Sequence, residues 1–338
     1  MSTPTPQPRQ PLEDPFSHGE EQGSGDPGVL AREDGATSEP PGRGGDGRMA
    51  ATPTRRALVV GNTPLVPWPW WTALAALFAG FVFAFFGAII VDIPAAILGV
   101  HVNSSHLPAG LTLGDTAVQD VAFVLAAVLF AYVGAGVVRA WQFGLRSPRI
   151  PWRHVLIAIP LTYLVFFLFD VIWAELLHVN EKEKLLETLG ANEGAALLVL
   201  SAALTCVLAP ICEEFLFRGF MFRALANWRG VWPAAVLTGL IFGGVHVGSA
   251  PAVDLLPLAF LGFLLCVLYQ ATGSLYPNIG VHSLNNCIAF ASLEGWTVGQ
   301  GALLVAIVMS TLVLLVVVLT RLGVIGDEAA SGPSSAVL

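Results

Sequence analysis

Residues 195–226 read AALLVLSAALTCVLAPICEEFLFRGFMFRALA, a 32-residue run whose only charged side chains are Glu213, Glu214, Arg218 and Arg223. It exceeds the roughly 20 apolar residues that carry a helix across a bilayer core. Comparable runs lie on either side of it, at about 71–99, 117–140 and 154–177 before it and 232–248, 254–271, 276–293 and 300–321 after it. None alternates as barrel strands do, and in lipid only helices otherwise satisfy their own backbone groups. The predicted fold class is all-α, a polytopic membrane helix bundle of about eight transmembrane helices. Trp68-Pro69-Trp70-Trp71 at the head of the first run reads as a membrane-interface belt.

Composition agrees. Of 338 residues, 55% are hydrophobic and only 12% charged, and the mean hydropathy is +0.71. A water-soluble domain would carry about 25% charged residues. Residues 1–56 hold 9 acids and 6 Arg together with 9 Pro and 9 Gly, and show no apolar periodicity. Such a segment cannot bury enough surface to offset the entropy of ordering it. Residues 1–64 are therefore expected to be a disordered Pro/Gly-rich cytoplasmic tail, 65–325 a transmembrane helical domain, and 326–338 a short C-terminal tail. No apolar stretch of the kind a signal peptide needs precedes about residue 57, so the tail is expected to stay on the protein. A formal charge of -8, with no basic run longer than Arg55-Arg56, excludes a nucleic-acid partner. Cys206, Cys212, Cys266 and Cys287 lie in apolar runs without metal-binding spacing and read as small buried hydrophobes.

Orientation follows from the 16 Lys and Arg. With the N-terminus inside, six Arg of the tail, Arg139, Arg146, Arg149, Arg153, Arg218, Arg223, Arg229 and Arg321 fall on the cytoplasmic side, and only Lys182 and Lys184 fall outside. Both termini are expected to be cytoplasmic, in a bacterial plasma membrane.

Ionisable residues inside membrane helices are costly and mark function unless a plainer account exists. Asp92, Asp170 and Glu175 sit near predicted outer helix ends, and His18, His101, His106, His154 and His178 in the tail, loops or a helix start, where solvation explains them. Glu213 and Glu214 have no such account. Arg218 follows Glu214 at i, i+4, the spacing of an intrahelical pair, which alone fits a structural ion pair equally well. Phe242 and His246 share one helix face, as do His282 and Asn286. Glu214 and His246 each lie 16 residues from Gly230 in an antiparallel hairpin, hence both about 24 Å from the turn. Gly243 and Gly244 remove bulk just before His246 and predict close helix approach.

Glu213-Glu214 with Arg218 resembles the EExxxR motif, Phe242 with His246 the FxxxH motif, and His282 with Asn286 the HxxxN motif of the CPBP family. These are the type II CAAX prenyl proteases and the Abi-like, bacteriocin-processing intramembrane endopeptidases. The resemblance covers about residues 194–293, with the three motifs in family order. It implies hydrolysis of peptide bonds in a membrane-associated protein or peptide, with membrane lipid as the surrounding partner.

The residues supply a chemistry for it. Glu213 is the expected base on a water, assisted by His246; His282 and Asn286 are expected to donate to the oxyanion, as the family assignment suggests, and Arg218 to hold Glu214. Glu213, His246 and His282 also match the ligand set of a catalytic zinc site, so a zinc and a metal-free glutamic mechanism stand equally open. The alternatives are a non-catalytic scaffold or immunity-type binder and, less well supported, a transporter, which would be expected to show repeated halves. His282 lies only six residues into its run. For it to meet His246, helices four and five are expected to project beyond the bilayer on the cytoplasmic side, with the site opening there.

Overall fold

The computed structural model describes residues 59–60, 63–64, 66, 68–99, 108–136, 138–177 and 194–325. The predicted tails thus lie outside the described residues, apart from a two-residue antiparallel ribbon pairing Val59–Val60 with Thr63–Pro64. His18, His101, His106, His178, Lys182 and Lys184 lie outside them too. Among the described residues the bundle has eight helices: α1 Trp70–Ile97, α2 Ala109–Ala135, α3 Trp152–Leu177, α4 Ala195–Arg229, α5 Val231–Gly244, α6 Leu255–Thr272, α7 Tyr276–Leu293 and α8 Val298–Arg321.

Their ends follow local chemistry. Gly136 closes α2 and Gly273 closes α6 in left-handed conformation (φ 75° and 66°), with N–H groups returned to Tyr132 and Tyr269 carbonyls. Thr297 and Gln300 form a capping box at the start of α8. Helix α2 begins eight residues before the predicted start, because the polar Thr112, Asp115 and Thr116 mask its first turns in the sequence while continuing the helix in space.

Six of these helices are long and apolar enough to cross a membrane. The two that fall short are α5, with 14 residues, and the more polar α7, with 18. At about 1.5 Å per residue α5 is about 21 Å long, less than a hydrocarbon core of about 30 Å. The two shorter helices carry Phe242, His282 and Asn286, so of the predicted eight spans six have the length and apolar character of a full crossing. Helices α1, α3 and α8 turn broad apolar faces outward, with Phe78 at 73%, Leu156 at 68% and Leu314 at 63% exposure.

Close packing in the second half rests on glycine. A Cβ on Gly239 would stand 2.6 Å from the Ala259 carbonyl oxygen, and one on Gly243 would collide with the Leu255 carbonyl oxygen and stand 2.8 Å from the Ala259 Cβ. Helix α5 therefore lies directly against the α6 backbone. Gly244 has nothing within 4 Å, so of the two predicted glycines only Gly243 makes the approach, with Gly239 as its partner one turn earlier.

The interface belt needs one correction. Trp70 and Trp71 are exposed, stacked on Trp228 or set edge-on to Phe130, but Trp68 is fully buried between Phe143 and Phe220. It closes the core beneath α4, where Asn227 donates to the carbonyls of Val66 and Trp68.

Candidate active site

Helix α4 is continuous but not uniformly wound. Leu204–Leu208 and Phe215–Met221 are π-helical, and between them Ala209–Glu214 returns to α-geometry. Wider turns of this kind re-aim side chains and collect at functional sites. Glu213 and Glu214 end the α-segment, so adjacent carboxylates point to different surroundings: Glu214 is fully buried, while Glu213 is partly exposed.

Glu214 is the hub of the buried side. Arg218 Nη1 donates to its Oε1 at 2.6 Å, as the i, i+4 spacing predicts, and Arg218 Nη2 donates to the Gly262 carbonyl at 3.1 Å. His282 Nδ1 stands 2.9 Å from Oε1, and Asn278 Nδ2 donates to Oε2 at 3.4 Å. A buried charge pair needs its remaining donors and acceptors engaged, and these bonds engage all but Arg218 Nε, which is buried without a partner. The Phe242 ring lies under the Arg218 guanidinium at 4.4 Å and edge-on to His282, their centroids 5.6 Å apart.

Both histidines are held by their inner nitrogen. A carboxylate only accepts, so the His282 Nδ1 facing Glu214 carries the hydrogen; a carbonyl only accepts, so the His246 Nδ1 at 2.7 Å from the Phe242 oxygen does as well. In each neutral ring Nε2 is left with its lone pair. His282 Nε2 faces Glu213 Oε2 at 3.9 Å, and that oxygen is buried without a hydrogen-bond partner. His246 follows the last turn of α5, its ring 5.0 Å from that of Phe242. The FxxxH spacing therefore has a physical content: one residue supplies the carbonyl that fixes the tautomer and the ring that packs on His246, His282 and Arg218.

Glu213, His246, His282 and Asn286 line one cavity of about 750 Å³. Glu214 and Arg218 stand behind its wall and do not line it. Asn286 Nδ2 donates to the Thr205 carbonyl in the first π-segment at 2.8 Å, which fixes its amide and leaves its second hydrogen free. The sequence reading missed two contributors. Asn278 continues the His282 and Asn286 face one turn earlier, a polar four-residue stripe visible in an otherwise apolar helix. Asp120, midway along α2 and 2% exposed, lines the cavity from the other wall; an isolated carboxylate in a predicted span is its only sequence signal. Asp170, read as solvated at a helix end, lines the cavity as well.

Among the described residues no three His, Cys, Asp or Glu side chains converge so as to hold a metal ion. Glu213, His246 and His282 share a wall and, as they stand, do not form such a group. The chemistry below is derived from the side chains alone.

The cavity reaches the exposed connection between α5 and α6, where Val247, Gly248 and Ser249 line its rim, and the C-terminal end of α7 at Ser292 and Leu293. The turns at Gly230 and Gly273 and the arginines near them lie at the other end and contribute nothing to its lining. The cavity therefore opens at the end of the bundle away from those turns, and His246 lies about 24 Å along its helix from the Gly230 turn. His282 meets Phe242, which is 12 residues beyond Gly230, from only 6 residues beyond the start of α7. The α4–α5 turn therefore extends about 9 Å further than the α6–α7 turn, as the spacing predicts.

Residues 195–288 match the family model described as type II CAAX prenyl endopeptidase Rce1-like. That span contains all of α5, α6 and the Glu, His and Asn residues above. No curated protein and no solved structure matches the chain.

Proposed function

We propose, from the premise that residues 195–288 are an Rce1-like domain of the CPBP intramembrane proteases, that this chain hydrolyses peptide bonds of a membrane-associated protein or peptide by means of a water activated at Glu213. The observation that carries this reading is His282 set between two carboxylates, Nδ1 at 2.9 Å from Glu214 and Nε2 at 3.9 Å from Glu213, on the wall of a cavity.

The chain's own groups account for each step. A water in the cavity gives a proton to Glu213 Oε2, which has no hydrogen bond to break first. His246 Nε2, with its lone pair free, accepts a second hydrogen of that water and orients it. The hydroxide attacks the substrate carbonyl carbon, and the free hydrogen of the Asn286 amide donates to the developing oxyanion. His282 Nε2 takes the water's proton from Glu213 Oε2, which it faces at 3.9 Å, offers it to the oxyanion as an imidazolium stabilised by Glu214, and returns it to Glu213 as the intermediate collapses. Glu213 then passes its proton to the leaving nitrogen, the C–N bond breaks, and the carboxylate is regenerated. Arg218 and Asn278 act as positioning residues through Glu214.

Substituting Glu213→Gln in the full chain, reconstituted in lipid, tests the reading. Loss of peptide cleavage with helicity and melting temperature retained supports it; full cleavage by this variant would leave a binding protein as the better account.

A further inference from the structure

The cavity has a charge character that the hydrolytic step does not use. Asp120, Asp170 and Asp254 line it in addition to Glu213, whereas among the described residues no Lys or Arg does. Asp120 is the decisive member. It is 2% exposed, its Oδ2 is buried without a hydrogen-bond partner, and it lines the cavity from α2, which packs against the Ala209–Glu214 segment that carries Glu213. A buried carboxylate left without a partner is costly, and this one stands in the wall of the cavity where substrate would lie. A cationic nitrogen entering the cavity satisfies Asp120 and gains a charge-assisted hydrogen bond in a site of low dielectric.

We propose that the cavity selects peptide segments carrying a cationic nitrogen close to the bond to be cut, and that Asp120 is the specificity-determining residue that receives it. This rests on the peptidase reading above and adds a substrate class to it. The cation is an ammonium or guanidinium of a basic side chain or the α-amine of a free N-terminus, both of which offer the same N–H donors. Asp170, further along the cavity wall on α3, extends the acidic surface.

The test measures binding to the full chain in lipid nanodiscs, using fluorescent octapeptides of Ala and Leu in which a single Lys is moved along the chain, against the Lys-free parent. Each is made N-acetylated and with a free N-terminus. We expect one or two Lys positions, or the free amine, to bind at least about tenfold more tightly than the acetylated Lys-free parent, the value of one charge-assisted hydrogen bond. This advantage should shrink toward unity in Asp120→Asn and persist in Asp120→Glu. In the wild type it should fall with added salt, while parent binding does not. Preference for Lys with the acetylated series alone identifies a side chain; preference confined to the free-amine series identifies the N-terminus. Equal or undetectable binding of cationic and neutral peptides, or an advantage unchanged in Asp120→Asn, would overturn the proposal. Should Asp120→Asn fail to fold, the wild-type salt dependence and Asp170→Asn, with a smaller loss of preference, decide it. Cleavage without charge preference would sink the selection and spare the peptidase; charge-selective binding without cleavage of any peptide would do the reverse.

Discussion

His282 and Glu214, 68 residues apart, are joined by an Nδ1 to Oε1 hydrogen bond of 2.9 Å inside a wall that excludes water from the carboxylate. This bond fixes which nitrogen of His282 faces the cavity, and it depends in turn on Arg218 holding the same oxygen of Glu214. The buried half of the site is thus a support for the exposed half.

Removing one partner of that support should be costly in a graded way. Arg218→Met leaves Glu214 buried and unpaired, and should lower stability by about 3–5 kcal/mol. Arg218→Lys keeps a charge but cannot reach both Glu214 and the Gly262 carbonyl with a planar fork, so a loss of about 1–3 kcal/mol is expected. Thermal melting in detergent checks both; equal melting temperatures for Arg218→Lys and wild type would contradict the two-acceptor role.

The glycines of α5 give a sharper contrast. Gly243→Ala places a methyl group against the Leu255 carbonyl oxygen and should destabilise by about 1–3 kcal/mol. Gly244→Ala meets nothing within 4 Å, and should be neutral or slightly stabilising, since alanine is favoured over glycine in a helix by up to about 1 kcal/mol. The same melting experiment reads both, and a reversed order would mean that α5 does not lie on the α6 backbone.

Much of this was legible in the sequence because it is local. Eight apolar runs, the Gly230 turn and the pairing of Glu214 with Arg218 follow from spacing along one helix, and the motif residues were all named from it. Asn278, Asp120 and the burial of Trp68 were not, because each takes its meaning from a neighbour on another helix. The π-segments that flank the Glu213–Glu214 pair are equally invisible to a 3.6-residue period. Motif positions give depth along each helix, but only the packed bundle shows that α5 ends at Gly244, just before His246, with the cavity open beyond it.

That opening is testable by labelling. All four native cysteines are buried, so single added cysteines report cleanly. Ser249→Cys, at the rim, should react with an impermeant thiol reagent applied to intact cells, and Arg153→Cys, exposed in the first turn of α3, should react only after lysis. The opposite pattern would place the rim in the cytoplasm and reverse the orientation derived from the arginines.

Metal dependence can be separated from the rest. The side-chain mechanism predicts that purified enzyme freed of zinc by chelation keeps its activity. Near-stoichiometric zinc in the wild type that is lost in His246→Ala, together with inactivation by chelators, would instead favour the metal version of the same residues.

The most direct test of the central claim is the kinetics of Glu213→Gln beside His246→Ala and the double variant, measured on correctly folded protein with one cleaved peptide. Because both side chains serve one water, each single change should lower turnover by about 10²- to 10⁴-fold, and the double variant should be little worse than either alone. Turnover by Glu213→Gln equal to wild type would contradict the account.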